Sequence, residues 1–308
     1  MGVLLQLIRF RNLLIILLTQ ALIFFGLFLP VLKKHHLSIP SYYADFLLLY
    51  GFTALIAAGG YLINDLMDTG PDSFNKPEKL IVGKSLSKKN TLQLYYFSLL
   101  SGFLLGVLID IFDQRICFVL IQPILSTGLA FYSLKLKGIP LLGNILIAIL
   151  SALVPGIFLI FFQNEISGLE DPDKSILVRW IIAYSIFAFI SSLLREIVKD
   201  MEDMEGDKSF GINSTAVAFG IPKSKRIAVV TSVLLCISLI IWAMMSFNGN
   251  MVLWTYPLIL IITLVRLTKR LSLSQEKTDF AGVSRGIKYF MLAGLIYILI
   301  FSLIHFNK

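Results

Sequence analysis

The chain has 308 residues, of which 57% are hydrophobic, and its mean hydropathy is +0.83. Such values exclude an ordinary soluble globular domain, because the apolar residues are gathered in long uninterrupted runs. The formal net charge of +8 does not indicate a nucleic-acid partner, since the basic residues flank these apolar runs.

Nine apolar runs are long enough to cross a bilayer, which takes about 20 apolar residues. They predict an all-α integral membrane protein, with nine transmembrane helices in a single bundle around a central cavity and one domain over residues 1–308. The eighth run is the shortest. The predicted spans are 13–32, 43–66, 91–112, 115–134, 141–163, 176–199, 225–247, 251–267 and 287–306.

The basic residues are divided unequally between the two sides of such a bundle. One side collects 21 of the 27 Lys and Arg residues, and the other side has six. By the positive-inside rule the richer side faces the cytoplasm. We therefore expect a protein of the cell (inner) membrane, with its N-terminus inside, its C-terminus outside and both acidic segments described below at the cytoplasmic surface.

The first acidic segment, residues 64–72, ends the second predicted span. Asp65, Asp68 and Asp72 are spaced three and four residues apart, so their side chains share one face for as long as the helix continues. The loop that follows contains Pro77 and Gly83, which break helices, and we expect a shaped loop or a short helix there.

The second acidic segment, residues 195–207, ends the sixth predicted span. Glu196, Asp200, Asp203 and Asp207 follow one another at steps of four, three and four, which again places them on one helix face. In total, 10 of the 19 acidic residues lie in or just after the two segments, so these helix ends differ from the rest of the chain.

Carboxylates stacked in this way repel one another unless a cation lies among them. Hard oxygen ligands at this density suit Mg²⁺, which proteins bind through one or two carboxylates together with substrate phosphates. The alternative is a solvated acidic loop, but ionisable residues at the ends of two membrane spans are usually functional. The candidate metal ligands are Asn64, Asp65, Asp68, Asp72, Glu196, Asp200, Asp203 and Asp207.

Basic residues follow the first acidic segment and the fourth predicted span. Lys76 and Lys79 either set the topology only or bind an anionic ligand that the metal holds. Tyr132, Lys135 and Lys137 stand at a predicted membrane boundary, where such residues are common.

The pattern Asn64-Asp65-x-x-Asp68-x-x-x-Asp72 resembles the first signature of the UbiA superfamily of intramembrane prenyltransferases. Residues 75–83 are similar to that family's N-(R/K)-P-x-(R/K) loop, and residues 200–207 resemble its second Asp-rich motif. Tyr132 and Ser133, followed by two lysines, are similar to a Tyr-Ser and basic stretch of the family. The chain departs from the family at its start, where Phe10 follows Arg9 in place of the frequent Arg-Pro.

The resemblance implies Mg²⁺-dependent transfer of a prenyl group from a prenyl diphosphate to a lipophilic acceptor. Two Mg²⁺ ions would bridge the carboxylates and the diphosphate. The isoprenoid tail would lie among apolar span residues, close to Gly59 and Gly60, and could open to membrane lipid. The implied catalytic residues are Asp65, Asp68, Asp200, Asp203 and Tyr132, and the implied substrate-binding residues are Lys76, Lys79, Lys135, Lys137, Arg195 and Lys199.

Residues 195–207 look most like the branch of the family that alkylates geranylgeranylglyceryl phosphate, with an aromatic quinone precursor as the alternative acceptor. Two other classes of membrane protein also carry clustered acidic residues. A CDP-alcohol phosphotransferase needs an Asp-Gly and an Ala-Arg pattern between its aspartates, which residues 65–72 lack. A divalent-cation transporter would place its acidic residues in the middle of spans. No feature of the sequence indicates an oligomeric state.

Overall fold

The computed structural model describes residues 2–35, 40–114, 116–246 and 250–306. Within these ranges every regular element is helical, and one isolated bridge joins Val82 and Leu86. The prediction of an all-α chain is confirmed.

The described residues form thirteen α-helices, with a π-helical turn at Phe24–Phe28 and 3₁₀ turns at Pro77–Lys79 and Leu136–Gly138. The helices are α1 (Val3–Leu7), α2 (Phe10–Ile23), α3 (Leu29–Lys34), α4 (Pro40–Met67), α5 (Thr69–Asn75), α6 (Lys88–Asp113), α7 (Phe118–Leu134), α8 (Leu142–Phe161), α9 (Gln163–Gly168), α10 (Asp173–Ser209), α11 (Thr215–Ser246), α12 (Met251–Leu273) and α13 (Lys277–Phe306).

Eight helical segments in the described part of the chain are long and apolar enough to cross a membrane. They are the continuous stretch from α2 to α3, together with α4, α6, α8, α10, α11, α12 and α13. Each predicted apolar run coincides with a helix. The eighth run, which looked the shortest in the sequence, lies in a helix of 23 residues, whereas α7 in the fourth run has only 17.

The short length of α7 follows from the way it begins. The Asp110 carboxylate, buried at the end of α6, accepts hydrogen bonds of 2.8–3.1 Å from the backbone N–H groups of Cys117, Phe118 and Val119. The first N–H groups of a helix have no partner within the helix, and Asp110 supplies one. The helix begins at Phe118, and residue 115, where the predicted span starts, lies outside the described residues.

The chain divides into two compact units, which are described separately. The first unit comprises Met1–Gln20, Ser38–Ile139 and Glu205–Ile212, and the second comprises Ala21–Leu37, Pro140–Met204 and Asn213–Lys308. The expectation of a single domain stays a prediction.

In the first unit, α4 packs against α6 and α7 through small residues. A Cβ atom built on Gly59 would lie 3.2 Å from the Ser98 Oγ, and one built on Gly60 would lie 2.8 Å from the Leu129 Cδ1. Both glycines therefore allow close helix approach. The Leu129 side chain lies beside Gly60, and the expected course of an isoprenoid tail near Gly60 stays a prediction.

In the second unit, α10 to α13 share an apolar and aromatic core. The ring of Trp180 in α10 lies 5.0 Å from the ring of Trp242 in α11 and 4.1 Å from that of Phe301 in α13, measured between centroids. The buried Tyr184 hydroxyl donates to the Gly294 carbonyl at 2.8 Å. These contacts set the position of α10, which carries the second acidic segment.

The packing of α4 predicts a difference between two glycine variants. We expect Gly60→Leu to lower the stability of the protein by about 1–3 kcal/mol, because the added side chain overpacks the contact with Leu129. Gly128→Leu is the matched control, since a Cβ atom at Gly128 meets nothing within 4 Å. Thermal unfolding in detergent measures both, and equal melting temperatures would contradict this packing.

Candidate active site

The helical hydrogen bonding continues through the first acidic segment although the helix is interrupted there. The α4 helix ends at Met67, yet the Asp68 N–H donates to the Asn64 carbonyl at 2.9 Å. The Asp72 N–H in turn donates to the Asp68 carbonyl at 2.8 Å. The helical spacing of Asp65, Asp68 and Asp72 therefore continues across the junction between α4 and α5.

The buried Asp68 carboxylate has two partners. Its Oδ1 lies 2.6 Å from the Nζ of Lys137, and its Oδ2 accepts a hydrogen bond of 2.9 Å from the Nδ2 of Asn64, one helical turn earlier. Ionised pairs of this kind form the stronger class of hydrogen bond. In this arrangement the predicted metal ligand Asn64 orients Asp68 through its amide nitrogen.

Arg9 pairs with Asp65. Its Nη2 and Nε lie 2.5 and 3.1 Å from the Asp65 Oδ1. Arg9 has a φ of 46° and lies at the break between α1 and α2. Burial lowers the pKa of Arg9, but the attraction and hydrogen bond of Asp65, with smaller contributions from Asp68 and Asp72, raise it above its ordinary value. Phe10 follows Arg9 in place of the frequent proline, yet Arg9 still contacts Asp65 of the first acidic segment.

Carboxylates of both acidic segments attract the Lys137 ammonium. Burial lowers the pKa of Lys137, but the attraction and hydrogen bond of Asp68, followed by the attraction of Asp207 and of Asp72, raise it above 10.5 overall. The side chain is thus an ammonium ion at neutral pH. Asp207 belongs to the end of α10 and is 2% exposed. The first unit therefore brings the end of the second acidic segment to the same ammonium as the first.

The end of α10 lies directly on α5. A Cβ atom built on Gly206 would collide with the carboxamide of Asn75, and one built on Gly70 would lie 2.8 Å from the Cε1 of Phe210. A side chain at position 206 would therefore have to displace the Asn75 carboxamide. Its neighbour Asp207 is placed beside Lys137 by the same contact.

In the second unit, Asp200 belongs to a buried hydrogen-bond network. Its Oδ2 accepts from the Asn144 Nδ2 at 3.0 Å and from the Thr215 backbone N–H at 3.2 Å. The Thr215 hydroxyl donates to the Asn144 Oδ1 at 2.5 Å. Asn144 and Thr215 were not among the predicted site residues. Two features of the sequence could have indicated them: Asn144 is a lone amide at the start of an apolar run, and Thr215 is a hydroxyl at the end of the loop after the second acidic segment.

Glu196 is held by its neighbour in the chain. The Nη1 of Arg195 lies 2.6 Å from the Glu196 Oε1, and both side chains are largely buried in the second unit. The Nε of Arg195 is also buried, and it has no hydrogen-bond partner among the described residues. Asp203 and Lys199, on the same helix, are half-buried.

The remaining predicted residues lie as follows. Lys135 is exposed and its Nζ lies 5.9 Å from the centroid of the Phe131 ring, so it takes a different direction from Lys137. Tyr132 is half-buried in the last turn of α7, and Lys76 is half-buried between α5 and the next 3₁₀ turn. The prediction for Lys79 concerns a side chain outside the described part of the structure.

The described residues contain no group of three or more acidic, His or Cys side chains that converges as a ready-made metal site. Instead, Asp68, Asp72 and Asp207 act on the Lys137 ammonium, which shows that their surroundings favour a positive charge. Mg²⁺ needs only one or two carboxylates when substrate phosphates complete its ligands. The donor set of the first unit fits an ion of that kind.

Two lysine variants test this electrostatic arrangement. We expect Lys137→Met to lower the melting temperature, because breaking a buried ion pair costs up to about 3–5 kcal/mol. Added Mg²⁺ should raise the melting temperature of this variant more than that of the wild type, since no ammonium competes for the carboxylates. Lys135→Met is the control and should show neither effect. Equal stability of the two variants, with or without Mg²⁺, would contradict the arrangement.

The chain is similar in sequence to known proteins. The UbiA prenyltransferase family matches residues 21–292. A digeranylgeranylglyceryl phosphate synthase from Saccharolobus solfataricus is 34% identical over 250 residues, which cover 81% of this chain and 80% of that protein. A protein of the same name from Methanopyrus kandleri is 29% identical over 245 residues, covering 79% and 82%.

Solved structures share the fold. A structure reported for digeranylgeranylglyceryl phosphate synthase superposes with a TM-score of 0.65 at 24% identity, covering 97% of both chains. A UbiA homolog from Archaeoglobus fulgidus bound to GPP and Mg²⁺ has a TM-score of 0.58 at 19% identity, covering 96% of this chain and 99% of that one. With its apolar helices and the match over residues 21–292, the chain belongs to the UbiA prenyltransferase family and is an integral membrane prenyltransferase.

Proposed function

We propose that this enzyme transfers a geranylgeranyl group from geranylgeranyl diphosphate to geranylgeranylglyceryl phosphate. The observation that carries the proposal is the similarity to digeranylgeranylglyceryl phosphate synthases over about four-fifths of both chains. In this reaction the bond between the prenyl C1 and the diphosphate oxygen breaks. A bond from C1 to a glyceryl hydroxyl oxygen forms, the hydroxyl proton is released and diphosphate leaves.

Each acidic segment supplies oxygen ligands for Mg²⁺ in this proposal. Asp65, Asp68 and Asp72 belong to the first segment, and the second provides Asp200, Asp203, Asp207 and Glu196. When bound, Mg²⁺ neutralises the charge that develops on the departing diphosphate. The negative charge already gathered around Lys137 supports this assignment for Asp68 and Asp207.

The basic residues bind the diphosphate. Lys137 and Arg9 are held beside the carboxylates by single ion pairs. Both side chains can donate hydrogen bonds to phosphate oxygens in place of a carboxylate. The guanidinium of Arg9 can donate to two oxygens at once. Lys76 and Lys79, in the loop after the first segment, add positive charge for the donor substrate.

On α10, Arg195 and Lys199 are one helical turn apart and so lie on one face. We assign them to the acceptor, whose phosphate needs a cation. Tyr132 is assigned to the reaction centre, where its ring and hydroxyl would face the prenyl C1. An apolar environment within the membrane would exclude water from the allylic cation.

We further propose nine membrane spans, with α7 as the span that is shorter than the rest. Its 17 residues give a length of about 25 Å at roughly 1.5 Å per residue, near the lower limit of about 17 residues for a spanning helix. The N-terminus and both acidic segments then face the cytoplasm of the cell membrane, on the side with 21 of the 27 basic residues.

The acceptor is tested with purified protein in liposomes that contain geranylgeranyl diphosphate and Mg²⁺. Geranylgeranylglyceryl phosphate and an aromatic quinone precursor are offered together, and the products are identified by mass spectrometry. We expect the doubly prenylated glyceryl phosphate as the main product. Prenylation of the aromatic acceptor alone would overturn the assignment of the acceptor while leaving the prenyltransferase activity in place.

The metal ligands are tested by amide substitutions. Asp68→Asn and Asp203→Asn should each lower kcat by at least about 100-fold, the upper end of the loss seen when groups that only support ligands are removed. Glu205→Gln is the control, because Glu205 is exposed on the same segment as Asp203. Excess chelator should abolish turnover by the wild type. Full activity in chelator would show that Mg²⁺ is not used.

A further inference from the structure

Asp200 stands at the end of a chain of hydrogen bonds that runs through largely buried side chains. Thr215 is fully buried and Asn144 is 7% exposed, so water does not replace their hydrogen bonds. The Leu141 backbone N–H donates to the Thr215 Oγ1 at 3.0 Å, and that hydroxyl donates to the Asn144 Oδ1 at 2.5 Å. The Asn144 Nδ2 then donates to the Asp200 Oδ2 at 3.0 Å.

The direction of these hydrogen bonds follows from the donor inventory. A backbone N–H can only donate, so the Thr215 hydroxyl accepts from Leu141 and keeps its single proton for Asn144. Because an ionised carboxylate can only accept, Asn144 turns its NH₂ group toward Asp200 and its carbonyl oxygen toward Thr215. The reversed amide would place a carbonyl oxygen against the Asp200 carboxylate, which is repulsive.

The backbone of Leu141 contributes to the same arrangement. Leu141 has a φ of 63°, a conformation that a residue with a branched side chain rarely adopts. Backbone strain of this kind persists where the surrounding structure requires it, and it is concentrated at functional sites. Here the strained residue directs its N–H to Thr215 and so begins the chain of hydrogen bonds that ends on Asp200.

Asp200 thereby receives two N–H donors on one oxygen, since the Thr215 backbone N–H also reaches its Oδ2. Two donors on one carboxylate oxygen restrict rotation of the carboxylate. The plane of the carboxylate, and with it the direction of Oδ1, is set by groups on α8 and at the start of α11.

We propose that Asn144 and Thr215 are positioning residues, which hold the Asp200 carboxylate in the orientation required to bind Mg²⁺ with diphosphate. This inference rests on the proposed function, in which Asp200 is a metal ligand. Groups that support a metal ligand from behind change metal affinity when they are removed, typically about 10–100-fold. A purely structural role in joining α8, α10 and α11 would change stability alone.

The test uses the full-length protein in detergent with inorganic diphosphate. Thermal stabilisation is followed as a function of Mg²⁺ concentration, and the Mg²⁺ dependence of turnover is measured in parallel. Thr215→Val and Asn144→Leu should raise the half-saturating Mg²⁺ concentration about 10-fold. Thr215→Ser, which keeps the hydroxyl and its hydrogen bond to Asn144, should leave this concentration within about twofold of the wild type.

Ser151→Ala is the matched control. The Ser151 hydroxyl lies 2.9 Å from that of Ser192, so this pair also joins α8 to α10 but does not contact Asp200. We expect Ser151→Ala to change the melting temperature without changing the half-saturating Mg²⁺ concentration.

The outcomes separate the two levels of the proposal. If the wild type responds to Mg²⁺ but Thr215→Val and Asn144→Leu respond at wild-type concentrations, the positioning role is wrong and the proposed function stands. If Ser151→Ala shifts the Mg²⁺ dependence as much as they do, the effect comes from helix packing and the positioning role is again wrong. If the wild type shows neither a Mg²⁺-dependent shift nor Mg²⁺-dependent turnover, the proposed function itself fails.

Discussion

The ion pair between Lys137 and Asp68 is the interaction on which the acidic end of the first unit depends. Asp68, Asp72 and Asp207 are held near one another in largely buried positions, where like charges repel more strongly than they do in water. The Lys137 ammonium, 2.6 Å from Asp68, offsets part of that repulsion, and the carboxylates raise its pKa. Arg9 pairs with Asp65 and also attracts Asp68 and Asp72. The folded chain therefore offsets part of the negative charge of these carboxylates with its own cations.

Close approach of the backbone makes this arrangement possible. Gly206 lies against the Asn75 carboxamide, so the end of α10 reaches α5 and carries Asp207 into the first unit. A larger residue at position 206 would have to displace the Asn75 carboxamide. Gly206 thus has a steric role, because it allows the close approach to Asn75. Asp207 has an electrostatic role, because it adds negative charge near Lys137.

Sequence periodicity predicted the helices and the acidic faces well, because both depend on residues that are close in the chain. Asp65, Asp68 and Asp72 share a face as a consequence of helix geometry alone. The partners of these carboxylates were harder to predict. Arg9 and Asn144 each lie 56 residues from the carboxylate that they contact, and no local pattern connects them. The contact of Gly60 with Leu129 on another helix is likewise not visible in a local pattern.

The most direct test is a crystal structure with Mn²⁺ in place of Mg²⁺ and geranylgeranyl thiodiphosphate as an unreactive donor, with the metal located by its anomalous scattering. The account predicts a metal ion coordinated by Asp68, and a Lys137 ammonium that has moved from Asp68 to a diphosphate oxygen. A metal ion bound away from Asp68, with the ion pair between Lys137 and Asp68 intact, would contradict it.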